Sequence, residues 1–262
     1  MAVATFVVAA AASAQSSDAS AGIPRAPDGH PDLSGTWDNG AGIDFVRPRQ
    51  DGDSICVVGC GGGGPPPARP AGAAPPGPST PQYRPEVAAR VADLDKRQVE
   101  EDPVLRCFAP GVPRIGPPDK IVQRAGEAVF LYEDVSGSFF RIVPTDGRPH
   151  PTNNEPSYLG DAVGHWEGDT LVVETVNFND QTWLTDNGAF HTTDLRVVER
   201  LRRTADTLEW EATAYDPAVL AEPWQVAKRV ARLTDLEIVE SPPCIDRSLE
   251  HMVDDSHHTN PR

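Results

Sequence analysis

Basic side chains and long apolar runs are both scarce in this chain, and each scarcity excludes a class of protein. The 262 residues include 23 Lys and Arg against 39 Asp and Glu, which gives a formal charge of −16. This charge argues against nucleic acid or an anionic membrane as a partner. The apolar run at residues 2–12 is too short to span a bilayer, and no later run is long enough. We therefore expect a soluble protein that does not insert into a membrane.

Common signatures of cofactor and nucleophile chemistry are missing as well. The glycines at 61–64 lack the G-K-[ST] sequence and the preceding strand of a phosphate loop. No serine lies in G-x-S-x-G, and the haem attachment sequence C-x-x-C-H is absent. No helical H-x-x-x-H pair occurs, so we expect neither a cofactor nor a metal. A metal site is the less favoured alternative, with scattered potential ligands at His150, His165, Glu167, His191 and Asp194.

The start of the chain resembles an export signal. Residues 2–12 are apolar, and Ser13-Ala14 completes an A-S-A pattern before Gln15, as at a secretory cleavage site. We therefore expect a signal peptide at 1–14 and a periplasmic or secreted protein. The remaining organisation that we expect is a leader at 15–30, a single β-barrel domain at 31–245 and a flexible tail at 246–262.

Four cysteines are compatible with an oxidising compartment. Cys107 and Cys244 lie on opposite flanks of the strand-rich region, where a disulfide bond could tie the two ends of a barrel together. Cys56 and Cys60 are too far apart for a C-x-x-C redox motif, and they lie in a glycine-rich setting. A local disulfide and two free thiols remain open for that pair.

Two segments precede the region of strands. Residues 60–85 are dominated by Gly, Pro and Ala and cannot bury enough apolar surface to order themselves, so we expect a disordered insert. Residues 86–101 follow Pro85 and carry Val87, Val91 and Leu94 at helical spacing, which predicts an amphipathic helix.

After Asp119 the hydrophobic period changes to two, and tight turns connect the apolar runs. With the strand that begins at Gly35, about nine strands are expected, too many for an open twisted sheet to remain comfortably unclosed. We predict an all-β fold, an antiparallel lipocalin-like barrel of 8–9 strands with one accessory helix. The predicted strands after Asp119 are 120–124, 128–134, 138–143, 162–167, 170–178, 193–202, 207–215 and 224–232.

Two resemblances support the barrel. The sequence Leu33-Ser34-Gly35-Thr36-Trp37 is similar to the N-terminal Gly-x-Trp signature of lipocalins, in which the Trp packs across the barrel floor. The segments PDLSGTW at 31–37 and GHWEGDTLVVET at 164–175, with Phe178-Asn179-Asp180 and Thr182-Trp183-Leu184, resemble a family of secreted bacterial proteins. This resemblance implies export and a lipocalin-like barrel, and it implies no particular reaction.

Charged residues that share strand faces with apolar side chains are the first candidates for a site. Glu174 follows the predicted hairpin turn Glu167-Gly168-Asp169 and lies in a row with Val172 and Val176. A carboxylate in such a row is costly to bury unless it is paired. Either these charges form cross-strand ion pairs on the outer face, or they form an internal acid/base cluster with shifted pKa values. The residues in apolar rows are Glu133, Arg141, Glu174, Glu199 and Lys228.

Histidine and tyrosine side chains complete the set. His150 and His191 lie near predicted strand ends, where a neutral imidazole could act as a general base near pH 7. Surface or capping roles are the alternative for both. Tyr132 and Tyr158 could each donate a proton, and Arg141 could stabilise developing negative charge.

Two functions remain open for such a barrel. The first is an exported, cofactor-independent lyase or isomerase that acts on a small apolar or aromatic compound, with Glu174, His150 or His191 as base. The second is a periplasmic binding or carrier protein for a lipophilic ligand. The charges on apolar rows favour the enzyme, because a passive lipid cup does not require them. The pattern does not define an oligomeric state.

Overall fold

The structure is a computed structural model that describes residues 22–39, 49–51, 54–56, 80–240 and 244. In these residues the helical elements are α1 (Ala88–Lys96), α2 (Gln98–Glu101) and a 3-10 turn (Val104–Arg106). The strands are β1 (Gly35–Asp38), β2 (Arg49–Asp51), β3 (Ser54–Cys56), β4 (Lys120–Arg124), β5 (Glu127–Asp134), β6 (Gly137–Pro144), β7 (Asp161–Glu167), β8 (Thr170–Val176), β9 (Arg196–Thr204), β10 (Thr207–Tyr215), β11 (Trp224–Gln225) and β12 (Arg229–Thr234).

One antiparallel sheet contains nine of these strands in the order β6-β5-β4-β1-β12-β10-β9-β8-β7, and β11 pairs with β10 off this path. The terminal strands β6 and β7 approach each other: the Gly147 N–H, just beyond β6, donates to the Gly164 carbonyl at 2.9 Å. A Cβ added to Gly164 would lie 3.4 Å from the Pro144 carbonyl oxygen. The sheet is therefore a nearly closed barrel, and the predicted all-β fold is confirmed. We call the junction between β6 and β7 the seam.

The hairpin of β7 and β8 forms as predicted. Glu167 pairs with Thr170 across a tight turn, and Gly168 has a φ of +60°, which glycine adopts without steric cost. The second strand is shorter than predicted, since it ends at Val176. Asn177 stops it with a φ of +59°, and its side-chain amide donates to the Asp161 carboxylate at 2.7 Å.

The predicted strand at 224–232 is divided into two. Trp224 of β11 pairs with Ala214 near the end of β10, whereas Arg229 of β12 pairs with Trp210 further back along the same strand. Beyond that point β12 also pairs with β1, so that Leu233 lies opposite Trp37. The chain therefore pairs with β10 twice, first as the short strand β11 and then as β12, which lies between β10 and β1. Because these two pairings are at different places along β10, residues 224–232 do not form one continuous strand.

The predicted helix is present, with a break at Arg97 between α1 and α2. Its predicted apolar face, Val87, Val91 and Leu94, packs against the core. The helix approaches Gly188 so closely that an added Cβ there would lie 2.5 Å from the Val91 carbonyl oxygen. A small residue at 188 therefore permits this packing.

The interior of the barrel is filled by side chains. The largest fully buried ones are at most 1% exposed and pack in one cluster. Trp37 of the Gly-x-Trp sequence is among them, and its indole N–H donates to the Leu33 carbonyl at 3.0 Å. The Arg203 guanidinium lies 5.2 Å from the Trp37 ring centroid, next to the turn between β9 and β10. One end of the barrel is thereby covered.

A disulfide bond joins Cys107 to Cys244, the pairing that the sequence left possible, with the two Cα atoms 5.6 Å apart. The predictions for the pair Cys56 and Cys60 cannot be compared with the structure, because it describes only the backbone of Cys56 and does not describe Cys60. The predicted signal peptide, the predicted tail, residues 15–21 of the leader and most of the insert lie outside the described residues too. Within the described part of the chain, no helix has the length and apolar character needed to cross a membrane.

Candidate functional site

An ion pair lies inside the barrel. Arg141 of β6 donates to Glu199 of β9 at 2.6 Å, and both side chains are almost completely buried. The same guanidinium donates to the Thr175 hydroxyl at 2.7 Å and to the Tyr132 hydroxyl at 3.1 Å. The second carboxylate oxygen of Glu199 accepts the Trp210 indole N–H at 3.0 Å. Of the two interpretations of the charged rows, these contacts favour the internal cluster for Arg141 and Glu199.

The network stabilises two charges that would otherwise be costly to bury. Burial alone would lower the pKa of Arg141, but the Glu199 carboxylate and the Tyr132 hydroxyl raise it above its usual range. Burial also raises the pKa of the Tyr132 phenol. One nitrogen of the guanidinium has no partner: the buried Nε–H of Arg141 makes no hydrogen bond to the residues that the structure describes. Arg141 therefore remains charged at pH 7, and its Nε–H stays available as a donor.

Glu174 lies on the other side of its strand. Its neighbours Val173 and Thr175 in β8 are completely buried, whereas the Glu174 side chain is 40% exposed. Its carboxylate accepts Arg196 at 2.9 Å and contacts the Nε2 atom of His150 at 3.3 Å. The contacts of Glu174 are thus those of an ion pair on the outer face of the barrel.

His191 is buried and its two ring nitrogens are both hydrogen-bonded. The Nδ1 atom lies 2.8 Å from the Thr192 carbonyl, which can only accept, so Nδ1 carries the proton. The Thr182 hydroxyl lies 2.6 Å from Nε2 and donates to it. Burial lowers the pKa of His191, against smaller opposing effects of Thr192 and Asp216. The ring is therefore a neutral, fully bonded part of the core at pH 7.

The six predicted site residues thus fall into four places. Arg141 and Tyr132 meet inside the barrel, His150 and Glu174 meet on its outer face, and His191 lies apart among the loops. Tyr158 is half-buried outside the strands, where it stacks on Phe108 with ring centroids 5.5 Å apart.

A cleft opens at the seam, and we call it the seam cleft. It has a volume of about 530 Å³, within the range of small-molecule sites. Its wall is mainly aromatic and aliphatic, and Arg141 is the one charged residue among those that line it. Tyr158 also borders it, so the cleft brings two of the predicted residues together. Its apolar lining consists of Phe108, Ala109, Phe139, Phe140, Ile142, Leu159 and Ala162, together with Cys107 of the disulfide.

Sequence reasoning missed most of this cleft. Phe108 and Leu159 lie in irregular segments, where no period marks a buried face. Phe139 and Arg141 are two residues apart on β6 and therefore lie on the same face of the strand. That shared face is the one sequence signal for an aromatic wall beside a buried charge. Trp210 and Thr175, which complete the polar network, lie in rows that otherwise contain apolar residues.

No group of three or more His, Cys, Asp or Glu side chains within the described ranges is arranged to hold a metal ion. Of the potential ligands considered, His165 contacts Glu167 at 3.3 Å on the surface, and His150 and His191 have the separate partners given above.

The fold and the cleft define a nearly closed antiparallel β-barrel, compatible with a lipocalin-like fold, that could hold a ligand. Comparisons with models of known families, with curated proteins and with solved structures found no match. The resemblance to a family of secreted bacterial proteins therefore stays a prediction.

Proposed function

We propose that this protein binds a small apolar or aromatic molecule in the seam cleft and acts as a binding or carrier protein. The observation that carries this proposal is the aromatic and aliphatic lining of the cleft. Small-molecule sites are mostly apolar, with a few polar groups that fix orientation. Inside the barrel, by contrast, large apolar side chains pack against one another in one cluster.

The polar group in this proposal is Arg141. Its charge is compensated by Glu199 at 2.6 Å, so its remaining Nε–H offers a hydrogen bond rather than a net charge. A buried donor without a partner costs about 1–3 kcal/mol, and a ligand oxygen would remove that cost. The ligand that fits is therefore a neutral aromatic molecule with a carbonyl or hydroxyl oxygen. The Nε–H is covered, so the protein around it has to open before a ligand oxygen can reach it.

A cofactor-independent lyase or isomerase is the second candidate. It is supported by Tyr158 and Arg141, which border one cleft and would act as proton donor and as stabiliser of negative charge. The three candidate bases weaken it, because Glu174 and His150 lie on the outer face and His191 is hydrogen-bonded at both nitrogens. We favour binding for this reason. The disulfide bond and the signal-like start support export.

The neutral fluorescent probe N-phenyl-1-naphthylamine tests the site. We expect the double variant Phe140→Ser and Ile142→Ser to bind it at least about tenfold more weakly, since apolar contact area is lost. Both side chains line the cleft and are more than half exposed, so the fold is expected to persist.

The matched control is Val122→Ser with Val230→Ser, which removes two side chains of similar exposure that do not line the cleft. Equal probe affinity in the two double variants would overturn the assignment of the site.

Native mass spectrometry of the freshly purified protein tests the choice between carrier and enzyme, because it would identify a co-purifying molecule. A carrier returns that molecule unchanged after incubation, whereas an altered mass would favour the lyase or isomerase.

A further inference from the structure

A second cavity lies on the outer side of the barrel, and we call it the arginine groove. It has a volume of about 570 Å³ and is bordered by Arg84, by the ends of β8, β9 and β10 and by the loop that follows β10. None of the six predicted site residues lines it. It contains two arginines and three carboxylates together with an apolar base, and these charged groups differ in how many of their hydrogen-bonding atoms already have a partner in the protein.

The base of the groove is preformed. Leu195 and Leu220 are buried at 1% and 2% exposure, and Val176 and Pro223 border the same space. These side chains are already fixed by the core, so a ligand that covers them gains apolar contact with little loss of side-chain entropy. An apolar ligand body of moderate size fits this surface.

The two arginines are held in place by the protein. The Arg196 guanidinium lies 4.1 Å from the Tyr215 ring centroid and donates to Glu174 at 2.9 Å. Arg84 donates through Nε to the Pro217 carbonyl at 2.9 Å, which leaves its terminal nitrogens for another partner. Within the described ranges, Arg84 forms no ion pair. A fixed guanidinium with free terminal N–H groups is suited to a carboxylate.

The carboxylates of the groove differ in what remains available. Asp216 is buried and accepts the Thr192 N–H at 2.7 Å, the Thr192 hydroxyl at 3.0 Å and the Ala218 N–H at 3.2 Å. Asp194 and Glu222 are exposed, and neither forms an ion pair in the part of the chain that the structure describes. The groove thus offers one unpaired cation and two unpaired anions, which would repel a dianion and attract an ammonium group.

We propose that the arginine groove binds a zwitterion with an apolar body, namely an aromatic or aliphatic α-amino acid. The ligand carboxylate pairs with Arg84, its ammonium group faces Asp194 and Glu222, and its side chain covers the apolar base. This site is separate from the seam cleft and does not depend on what binds there.

Three matched probes separate the contributions of the ligand's ammonium group and carboxylate to binding. They are L-phenylalanine, 3-phenylpropionate, which lacks the ammonium group, and 2-phenylethylamine, which lacks the carboxylate. Isothermal titration and fluorine NMR with 4-fluoro-L-phenylalanine report binding. We expect L-phenylalanine to bind at least about tenfold more tightly than either analogue, because each analogue leaves one charged partner unused. Equal binding of 3-phenylpropionate, or no binding of L-phenylalanine, would overturn the proposal.

The variants Arg84→Gln and Glu222→Gln are expected to weaken L-phenylalanine binding about tenfold or more without a change in thermal unfolding. Arg148→Gln is the control, because Arg148 is an exposed arginine that pairs with Asp146 and does not line the groove. If Arg84→Gln binds as tightly as Arg148→Gln, the groove is not the site. The double variant Phe140→Ser and Ile142→Ser should bind L-phenylalanine normally, so failure of one site does not imply failure of the other.

Discussion

The Arg141 guanidinium and the Glu199 carboxylate meet at 2.6 Å across the seam of the barrel. Arg141 belongs to β6, the last strand on one side of the seam, and Glu199 belongs to β9, the third strand on the other side. No backbone pairing joins β6 to β7 within the described ranges. The buried side-chain network, which also includes Thr175 of β8, therefore joins β6 to β8 and β9 across the seam from inside the barrel.

Removal of one partner of this ion pair should strongly destabilise the fold. We expect Arg141→Met to lower the free energy of unfolding by about 3–5 kcal/mol, because Glu199 would be left as an unpaired buried charge. Urea denaturation measures this loss. Glu174→Gln on the outer face is the control, with an expected loss of at most about 1 kcal/mol.

A double variant shows whether the stability lost in Arg141→Met comes from the unpaired charge of Glu199 or from altered packing. Arg141→Met combined with Glu199→Leu removes both charges, and it should lose less stability than Arg141→Met alone. If the single change costs no more than Glu174→Gln, the network does not hold the seam.

The sequence could predict the row to which each charge belongs, but not the face that the row takes. Glu199 shares its row with Val197 and Leu201, and that row is interior. Glu174 shares its row of β8 with Val172, which is buried although it lies on the outer face. Val173 lies on the opposite, interior face and is buried too, so both faces of β8 carry apolar side chains. Where both faces of a strand are covered, the period of two cannot distinguish them.

The nine strands along the barrel and most of their bounds were likewise predictable from turns and periodicity, whereas the strand order was not. β1 lies between β4 and β12, which joins two segments far apart in the chain and makes β6 and β7 the terminal strands. The seam cleft exists only because of that order. Its residues at 107–109, 139–142, 157–160 and 162 have no local pattern in common.

His191 should make stability depend on pH. Its pKa in the folded protein is lowered by burial, whereas the unfolded chain takes up a proton near pH 6.5. The contribution of neutral His191 is therefore fully present above about pH 6.5 and is lost as the pH falls below it. Each unit of pKa depression corresponds to about 1.4 kcal/mol.

The comparison of wild type with His191→Gln isolates this effect. Burial raises the pKa of Asp119 to about 6, which gives the opposite slope between roughly pH 4 and 6 in both proteins and cancels in the difference. We expect the difference in unfolding free energy to shrink as the pH is lowered from 7.5 to 5. A difference that stays constant with pH would mean that His191 is protonated equally in the folded and unfolded chains.

Gly111 should be intolerant of a side chain. Its φ is +81°, and an added Cβ would lie 2.4 Å from the Thr182 hydroxyl oxygen, the group that donates to His191. We expect Gly111→Ala to cost more than about 2 kcal/mol, through backbone strain and overlap together. Gly126→Ala is matched in φ at +75° but meets open space, so about 1 kcal/mol is expected there.

Two measurements check this comparison. Thermal unfolding gives the stability of each variant, and the imidazole NMR signals report whether Thr182 still donates to His191. Those signals should shift in Gly111→Ala and remain unchanged in Gly126→Ala. Equal stability of the two variants would show that the loop around Gly111 can move away from Thr182.

The Cys107–Cys244 disulfide should stabilise both the fold and the seam cleft. The two cysteines are 137 residues apart in sequence, so the bond restricts a long loop of the unfolded chain. We expect Cys107→Ala with Cys244→Ala to lower the free energy of unfolding by about 2–4 kcal/mol in urea denaturation. Because Cys107 also borders the cleft, binding of N-phenyl-1-naphthylamine should weaken even where the variant is fully folded. Treatment of the wild type with a reductant should reproduce both effects, whereas unchanged probe affinity would show that the cleft wall holds its shape without the bond.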